Sequence, residues 1–191
     1  MRHHARLAAA FVVVGVIAAS AVPASFAGQQ CQGKPARSES DFVFLAGGAQ
    51  VQDNRTGLIW MRCLEGQTWD GTTCKADDPK AVDPGPKLTY AEAKKYAAAR
   101  STPDEAWRIP TKAELITLRE PGCYNPSINL KLFPSEPAWS SDGAYWTSTP
   151  EAEGVALVDA IGASDAWQRT DPSHTNHVRL VRNVPKEKKK P

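Results

Sequence analysis

Four cysteines, Cys31, Cys63, Cys74 and Cys123, constrain this chain more than any other feature. All four lie downstream of a segment with the plan of a secretory signal peptide. "MRHHAR" is a short basic start, "LAAAFVVVGVIAASA" is an apolar run, and "SFA" places small residues up to Ala27. Residues 1–27 are therefore expected to be cleaved, because the run falls short of the ~20 apolar residues of a membrane-spanning helix. The alternative is a retained N-terminal anchor. Cys31 follows Gly28, Gln29 and Gln30 rather than the triplet that lipoprotein processing needs, so a free protein is expected, in the periplasm or the medium.

An even number of cysteines in an exported chain reads as disulfides. Four cysteines permit three pairings, and sequence alone does not choose among them. The spacing favours Cys63 with Cys74: "CLEGQTWDGTTC" contains two glycines and short polar residues and can curl back on itself. Cys31 is then left for Cys123, tying the N-terminal segment to the body. Each bridge would contribute roughly 2–4 kcal/mol. Zinc is the other use for four cysteines, but the chain has no CxxC pair.

The 191 residues leave room for one ordinary domain. Without the signal segment the chain is net neutral, and the basic residues of "PKEKKKP" at 185–191 leave the body slightly acidic. There is no basic stripe, so nucleic acid is not an expected partner. The tail reads as a solvated, disordered end.

Residues 28–50 read as a lead-in, polar up to 41, with "DFVFLAGGAQVQD" as a strand–turn–strand beginning inside it. After the turn "NRTG", "LIWMRCL" is a strand-like apolar run. Residues 65–87 are rich in Gly, Asp, Thr, Lys and Pro and read as a long loop. Two helices follow, in "LTYAEAKKYAAAR" and "PTKAELITLRE". Each opens with a capping box, Thr89 with Glu92 and Thr111 with Glu114. The first buries Tyr90, Ala93, Tyr96 and Ala97 at helical spacing; the second buries Leu115 and Leu118 with Ile116 alongside. Pro121 and Gly122 end it. "AYWTSTP" and "EGVALVDAIG" read as strands, "ASDAWQRTDPSHTNH" as a polar loop, and "VRLVRNV" as a last strand with Arg179 and Arg182 outward or paired. Helices between strands from both ends of the chain give an α+β class. The domain proper is placed at 51–184.

Seven stretches occur in a distinctive order: "DNRTGLIWMRC", "GQTWDGTTC", "TYAEA", "WRIPTKAELITL", "CYNPSIN…LFP", "YWTST" and "VRLVR". Together they resemble the C-terminal domain family of the Lcl collagen-like adhesin, over about Val51 to Val184. The resemblance implies a C-type-lectin-like fold, with two helices against a small irregular antiparallel sheet and the N- and C-terminal strands brought together. It also implies an exported bacterial recognition domain, and in the adhesin itself a trimer that binds sulfated polysaccharide. The calcium-binding triplets of true C-type lectins are absent, since "SEPAW" has Ala138 where Asn would be needed. No metal or other cofactor is expected.

Arg108 stands between Trp107 and a capped helix. Its stem can cover the indole and its fork can reach a carboxylate or carbonyls. With no nucleophile or base beside it, Arg108 is read as structural, together with Trp107, Thr111 and Glu114. Trp60, Trp107 and Trp146 are expected in the core. Trp139 and Trp167 lie in polar loops, where an indole can pack on a sugar ring or a partner. "HTNH" sets His174 three residues from His177, near Asp165 and Asp171, but such a loop is more often a solvated turn than a metal site.

No catalytic motif such as GxSxG, HExxH or a phosphate loop is present, so an enzyme is not expected. The favoured reading is a recognition or adhesion domain that holds a glycan or an extracellular or envelope protein through loops between Phe133 and His177. Its candidate contacts are Trp139, Trp167, Arg169, His174 and Asn176. The alternatives are an assembly subunit of an envelope complex, possible as an oligomer, and more remotely an oxidase of the formylglycine-generating type. The oxidase would need free thiols.

Overall fold

The computed structural model describes residues 29–33, 37–80, 86–124, 126–134, 144–150, 156–160, 167–169 and 171–185. Residues 1–27, where the signal segment is expected, Trp139, Asp165 and the tail from 186 onward lie outside the described residues. In chain order the strands are β1 (Gln30–Cys31), β2 (Phe42–Leu45), β3 (Gln50–Asp53), β4 (Leu58–Met61), β5 (Gln67–Trp69), β6 (Cys74–Ala76), β7 (Cys123–Tyr124), β8 (Ala144–Pro150), β9 (Ala156–Ala160), β10 (Trp167–Arg169) and β11 (Val181–Asn183). Helices α1 (Tyr90–Arg100) and α2 (Lys112–Ile116) lie between β6 and β7. The class is α+β.

The central sheet has the order β11-β4-β3-β2 and is antiparallel throughout. Its register sets Val51 opposite Trp60 and Trp60 opposite Val181, so all three share one face. Strand periodicity sends Ile59 to the other face. Leu115, Leu118, Ile128, Leu132 and Phe133 cover the first face. Ala93 and Ala97 of α1, with Trp107, Ile109 and Trp146, cover the second. Burial on both sides explains why "LIWM" is a continuous apolar run rather than an alternating one. The remaining strands form a three-stranded sheet, β10-β9-β8, and the pairs β1-β7 and β5-β6.

Both capping boxes form. The Glu92 carboxylate accepts from the Thr89 amide at 2.8 Å, and Glu114 does the same for Thr111 at 2.8 Å. The second helix is shorter than its sequence suggests and stops at Ile116. The Thr117 hydroxyl takes the Glu114 carbonyl at 2.7 Å, and bonds from Leu118 to Leu115 and from Arg119 to Ile116 tighten the turn. That turn brings Leu118 into the core and leaves Ile116 at 41% exposure, not packed alongside Leu115.

Four further features depart from the sequence reading. The lead-in is integral, since β1 pairs with β7 and β2 is an outer strand of the central sheet. The stretch read as a long loop contains the β5–β6 hairpin, and the stretch read as a polar loop contains β10. Arg179 is fully buried rather than outward, donating to the Met61 and Arg62 carbonyls at 3.0 and 2.9 Å. The disulfides, by contrast, form in the pairing the spacing favours, Cys31–Cys123 and Cys63–Cys74, and no cysteine is free.

Arg108 holds its neighbours in place. Its guanidinium meets Glu114 with two bonds of 2.7 and 2.6 Å, and its backbone exchanges two bonds with Val181. Glu114 thus both caps α2 and anchors the arginine. The cation over the Trp107 ring is Arg182, 5.1 Å from the centroid, rather than Arg108.

Replacing Arg108 by Ala should cost about 1 kcal/mol, since the pair is partly exposed. That corresponds to a Tm lower by about 2–4 °C for a chain of this size. An unchanged melting curve would refute the structural role. Acid should also destabilise the fold. Burial alone would raise the Glu114 and Asp53 pKa values, but hydrogen bonds from Arg108 and Arg37, helped by backbone amides, hold both below the usual carboxylate range. A depressed folded pKa gives stability that is present above the unfolded value, near ~4, and lost as pH falls through the folded value. Tm should therefore decline below about pH 4, and less steeply in Asp53→Asn. Thermal melts across that range decide it.

Candidate functional site

The β5–β6 hairpin, whose second strand opens on Cys74 and is tied through it to Cys63, builds one wall of the site. Its register sets Trp69 opposite Cys74 and Gln67 opposite Ala76. At the tip the Asp70 carboxylate accepts the Thr72 and Thr73 amides at 2.8 Å each, and Gly71 takes φ 99°. The Trp69 indole N–H donates to the Gly47 carbonyl at 3.0 Å. A Cβ at Gly48, where φ is +94°, would sit 3.1 Å from that indole nitrogen, so the approach requires glycine.

Arg62 fixes the same indole from the core side. Its guanidinium lies 4.1 Å from the Trp69 centroid and 4.7 Å from that of Phe44. It donates to the carbonyls of Leu132, Gly48 and Lys131 at 2.7, 2.6 and 2.9 Å. The second wall is α1, where the Arg100 guanidinium lies 4.9 Å over the Tyr96 ring.

Between the hairpin, α1 and the ends of β3 and β4 is a cavity of about 260 Å³, lined by Gln50, Met61, Gln67, Trp69, Tyr96 and Arg100 among others. The Gln50 carbonyl oxygen accepts from Arg182 at 2.9 Å, and that of Gln67 accepts from the Leu64 amide at 3.2 Å. Those contacts assign the amide orientations and leave both NH₂ groups as donors. Burial, reinforced by the Glu65 and Asp77 charges and only partly offset by Arg100, pushes the Tyr96 phenol up, so its hydroxyl stays protonated near neutrality. The cavity thus offers flat aromatic surface and several neutral donors.

Behind it lies a buried acid. Glu65 is 1% exposed; one carboxylate oxygen is 2.9 Å from His177 Nδ1 and the other accepts the Val178 amide at 2.9 Å. Burial raises its pKa, against the opposing pull of His177 and Val178. A larger cavity of about 730 Å³ beside Cys31–Cys123 has no aromatic side chain among its described lining residues, and its Lys131 and Glu39 pair with each other at 2.6 Å. It has less to offer a ligand.

Of the residues singled out in the sequence, Trp139 lies outside the described residues. Trp167 and Arg169 are in β10, in register with Asp159 and Leu157 of β9. His174 is exposed in a turn closed on Asp171 at 2.9 Å. Asn176 exchanges two backbone bonds with Leu88, and its side-chain nitrogen is buried with no hydrogen-bond partner among the described residues. His177 turns inward to Glu65, away from any shared site with His174. His174, Asn176 and His177 do not line the cavity around Trp69. That cavity was missed because 65–87 read as featureless loop; the available signal was a Trp inside a cysteine-bounded turn-rich segment, "CLEGQTWDGTTC".

A family model for the Lcl C-terminal domain matches residues 49–182, well over half of the chain. The chain belongs to the Lcl C-terminal domain family. No curated protein and no solved structure matches it significantly. In this Lcl C-terminal domain the match runs from just before β3 into β11, taking in the disulfide-closed hairpin, α1 and the cavity between them, and leaving β1 and β2 outside.

Replacing Glu65 by Ala should destabilise the domain by roughly 3–5 kcal/mol, because a buried partner of His177 and the Val178 amide is lost. Glu65→Gln, which keeps an acceptor for Val178, should cost clearly less. Equal losses in denaturant titrations would show that the hydrogen bonds behind the cavity are not what Glu65 contributes.

Proposed function

We propose that this adhesin-like domain is an extracytoplasmic recognition module, secreted or periplasmic, which holds a glycan or a surface protein without catalysing a reaction. The observation that carries the reading is the aromatic- and amide-lined cavity on a disulfide-closed hairpin. Two disulfides fit an oxidising compartment, and among the described residues no helix is long and apolar enough to cross a membrane. The C-type-lectin-like arrangement belongs to the same reading. Two helices against a small antiparallel sheet, with β2 and β11 in that one sheet, support it. An oxidase of the formylglycine-generating type would need free thiols, whereas all four cysteines are paired; alkylation of the native protein tests this.

A second reading, an assembly subunit of an envelope complex, is favoured by Val43 and Phe44, 44% and 51% exposed on the outer strand β2. A partner that co-purifies in fixed stoichiometry would support it.

A glycan array run with the full chain and with a chain stopped at Val184, each with and without calcium, tests the first reading. Binding should survive loss of the tail and of calcium. Binding that vanishes with the tail would reduce it to simple electrostatics, and no binding at all would move the weight to the assembly reading. Trp69→Ala probes the cavity, and a Trp139→Ala/Trp167→Ala double variant probes the loops after Phe133.

A further inference from the structure

We infer that the cavity between the β5–β6 hairpin and α1 is a subsite for a single uncharged pyranose ring, an inference that rests on the recognition reading above. The volume comes first. At about 260 Å³ the cavity is smaller than the roughly 300–1,000 Å³ of pockets that take drug-sized ligands, which restricts it to one ring. Its lining matches the two-sided chemistry of a sugar. Trp69 and Tyr96 offer flat apolar surface for the C–H face of a ring. Gln50 and Gln67, whose amide oxygens are already engaged, and the protonated phenol of Tyr96 give the lining donors for a ligand whose rim is hydroxyl oxygens.

The charges exclude an anion as the natural occupant. Among the described lining residues Arg100 is the one cation, and it is stacked on Tyr96. Sulfate or carboxylate recognition calls for convergent or bidentate cations, and the described lining residues supply no second one. The buried Arg62 guanidinium behind Trp69 is likewise committed, to the Leu132, Gly48 and Lys131 carbonyls. The aromatic wall is also preorganised. Trp69 is held by Gly47, by Arg62 and by the Cys63–Cys74 hairpin, so little side-chain freedom is lost on binding.

The test is a nitrogen–proton NMR titration of protein purified after oxidative expression of the full chain. The probes are the methyl glycosides of glucose, galactose, mannose and N-acetylglucosamine, with heparin as the sulfated comparison. The Trp69 indole resonance is assigned by its disappearance in Trp69→Phe. At least one neutral glycoside should shift that resonance saturably. Gln50→Glu keeps the acceptor for Arg182 but removes the donor, and should weaken binding at least fivefold with an unchanged melting curve. Tyr96→Phe should weaken it as well. If the array is positive but no glycoside moves the Trp69 resonance, this subsite is wrong and the recognition reading stands. If only heparin moves it, the ligand class is wrong. An empty array together with a silent titration overturns both.

Discussion

Irregular backbone leaves carbonyls without partners, and in this fold buried arginines supply the donors. Buried polar backbone groups must be paired, and short strands with two short helices cannot pair them all. Arg179 reaches from the last segment to the carbonyls of Met61 and Arg62, and Arg62 reaches on to Leu132, Lys131 and Gly48. The guanidinium group suits this task because it projects several donors in a rigid fork and stays charged. Burying such charges is costly. The cost is offset here by ring faces: Arg179 lies 4.6 Å from the Phe133 centroid, Arg37 4.2 Å from that of Phe42, and Arg62 between Phe44 and Trp69. Arg37 differs in pairing with a buried acid, Asp53, at 2.8 and 2.6 Å, which draws the N-terminal segment into the central sheet.

What was legible in the sequence was what is decided locally. A Thr followed three residues later by Glu makes its own helix start, because both partners of the capping box lie in the same turn. The continuous run "LIWM" announced a buried strand. The two disulfides formed in the pairing that the spacing favoured. Arg179 was illegible because alternation along "VRLVRNV" reports side-chain polarity, while its burial depends on carbonyls more than a hundred residues earlier. The end of α2 was illegible for a different reason: apolar periodicity continues through Leu118, but a Thr117 hydroxyl bond turns the backbone before the pattern stops.

The cavity around Trp69 was missed for a related reason. Composition marked residues 65–87 as loop, and a two-by-three-residue hairpin carries too little alternation to show against that background. Its strands owe their pairing to the disulfide at Cys63–Cys74 and to the Asp70 turn, two features that composition averages away. The lining residues come from four separate elements, with Gln50 on β3, Met61 on β4, Trp69 on β5 and Tyr96 on α1. No spacing rule joins residues so far apart in the chain.

The Glu65–His177 clasp links the core to the function proposed for the cavity. Glu65 adjoins Leu64 and lies two residues before Gln67, both in the cavity lining, and its partners His177 and Val178 lie just before the fully buried Arg179. His177 also bonds through its backbone to Ala144 and Trp146 of β8. The turn that leads into β5 and Gln67 is therefore fixed to the same core elements that hold the central sheet. A binding surface on an otherwise short, loop-borne hairpin would lose affinity to the entropy of ordering it. Anchoring the hairpin at one end by a disulfide, at its indole by Arg62, and at its base by a buried carboxylate removes most of that freedom before any ligand arrives. Such rigidity is what a site for a small, weakly bound ring requires.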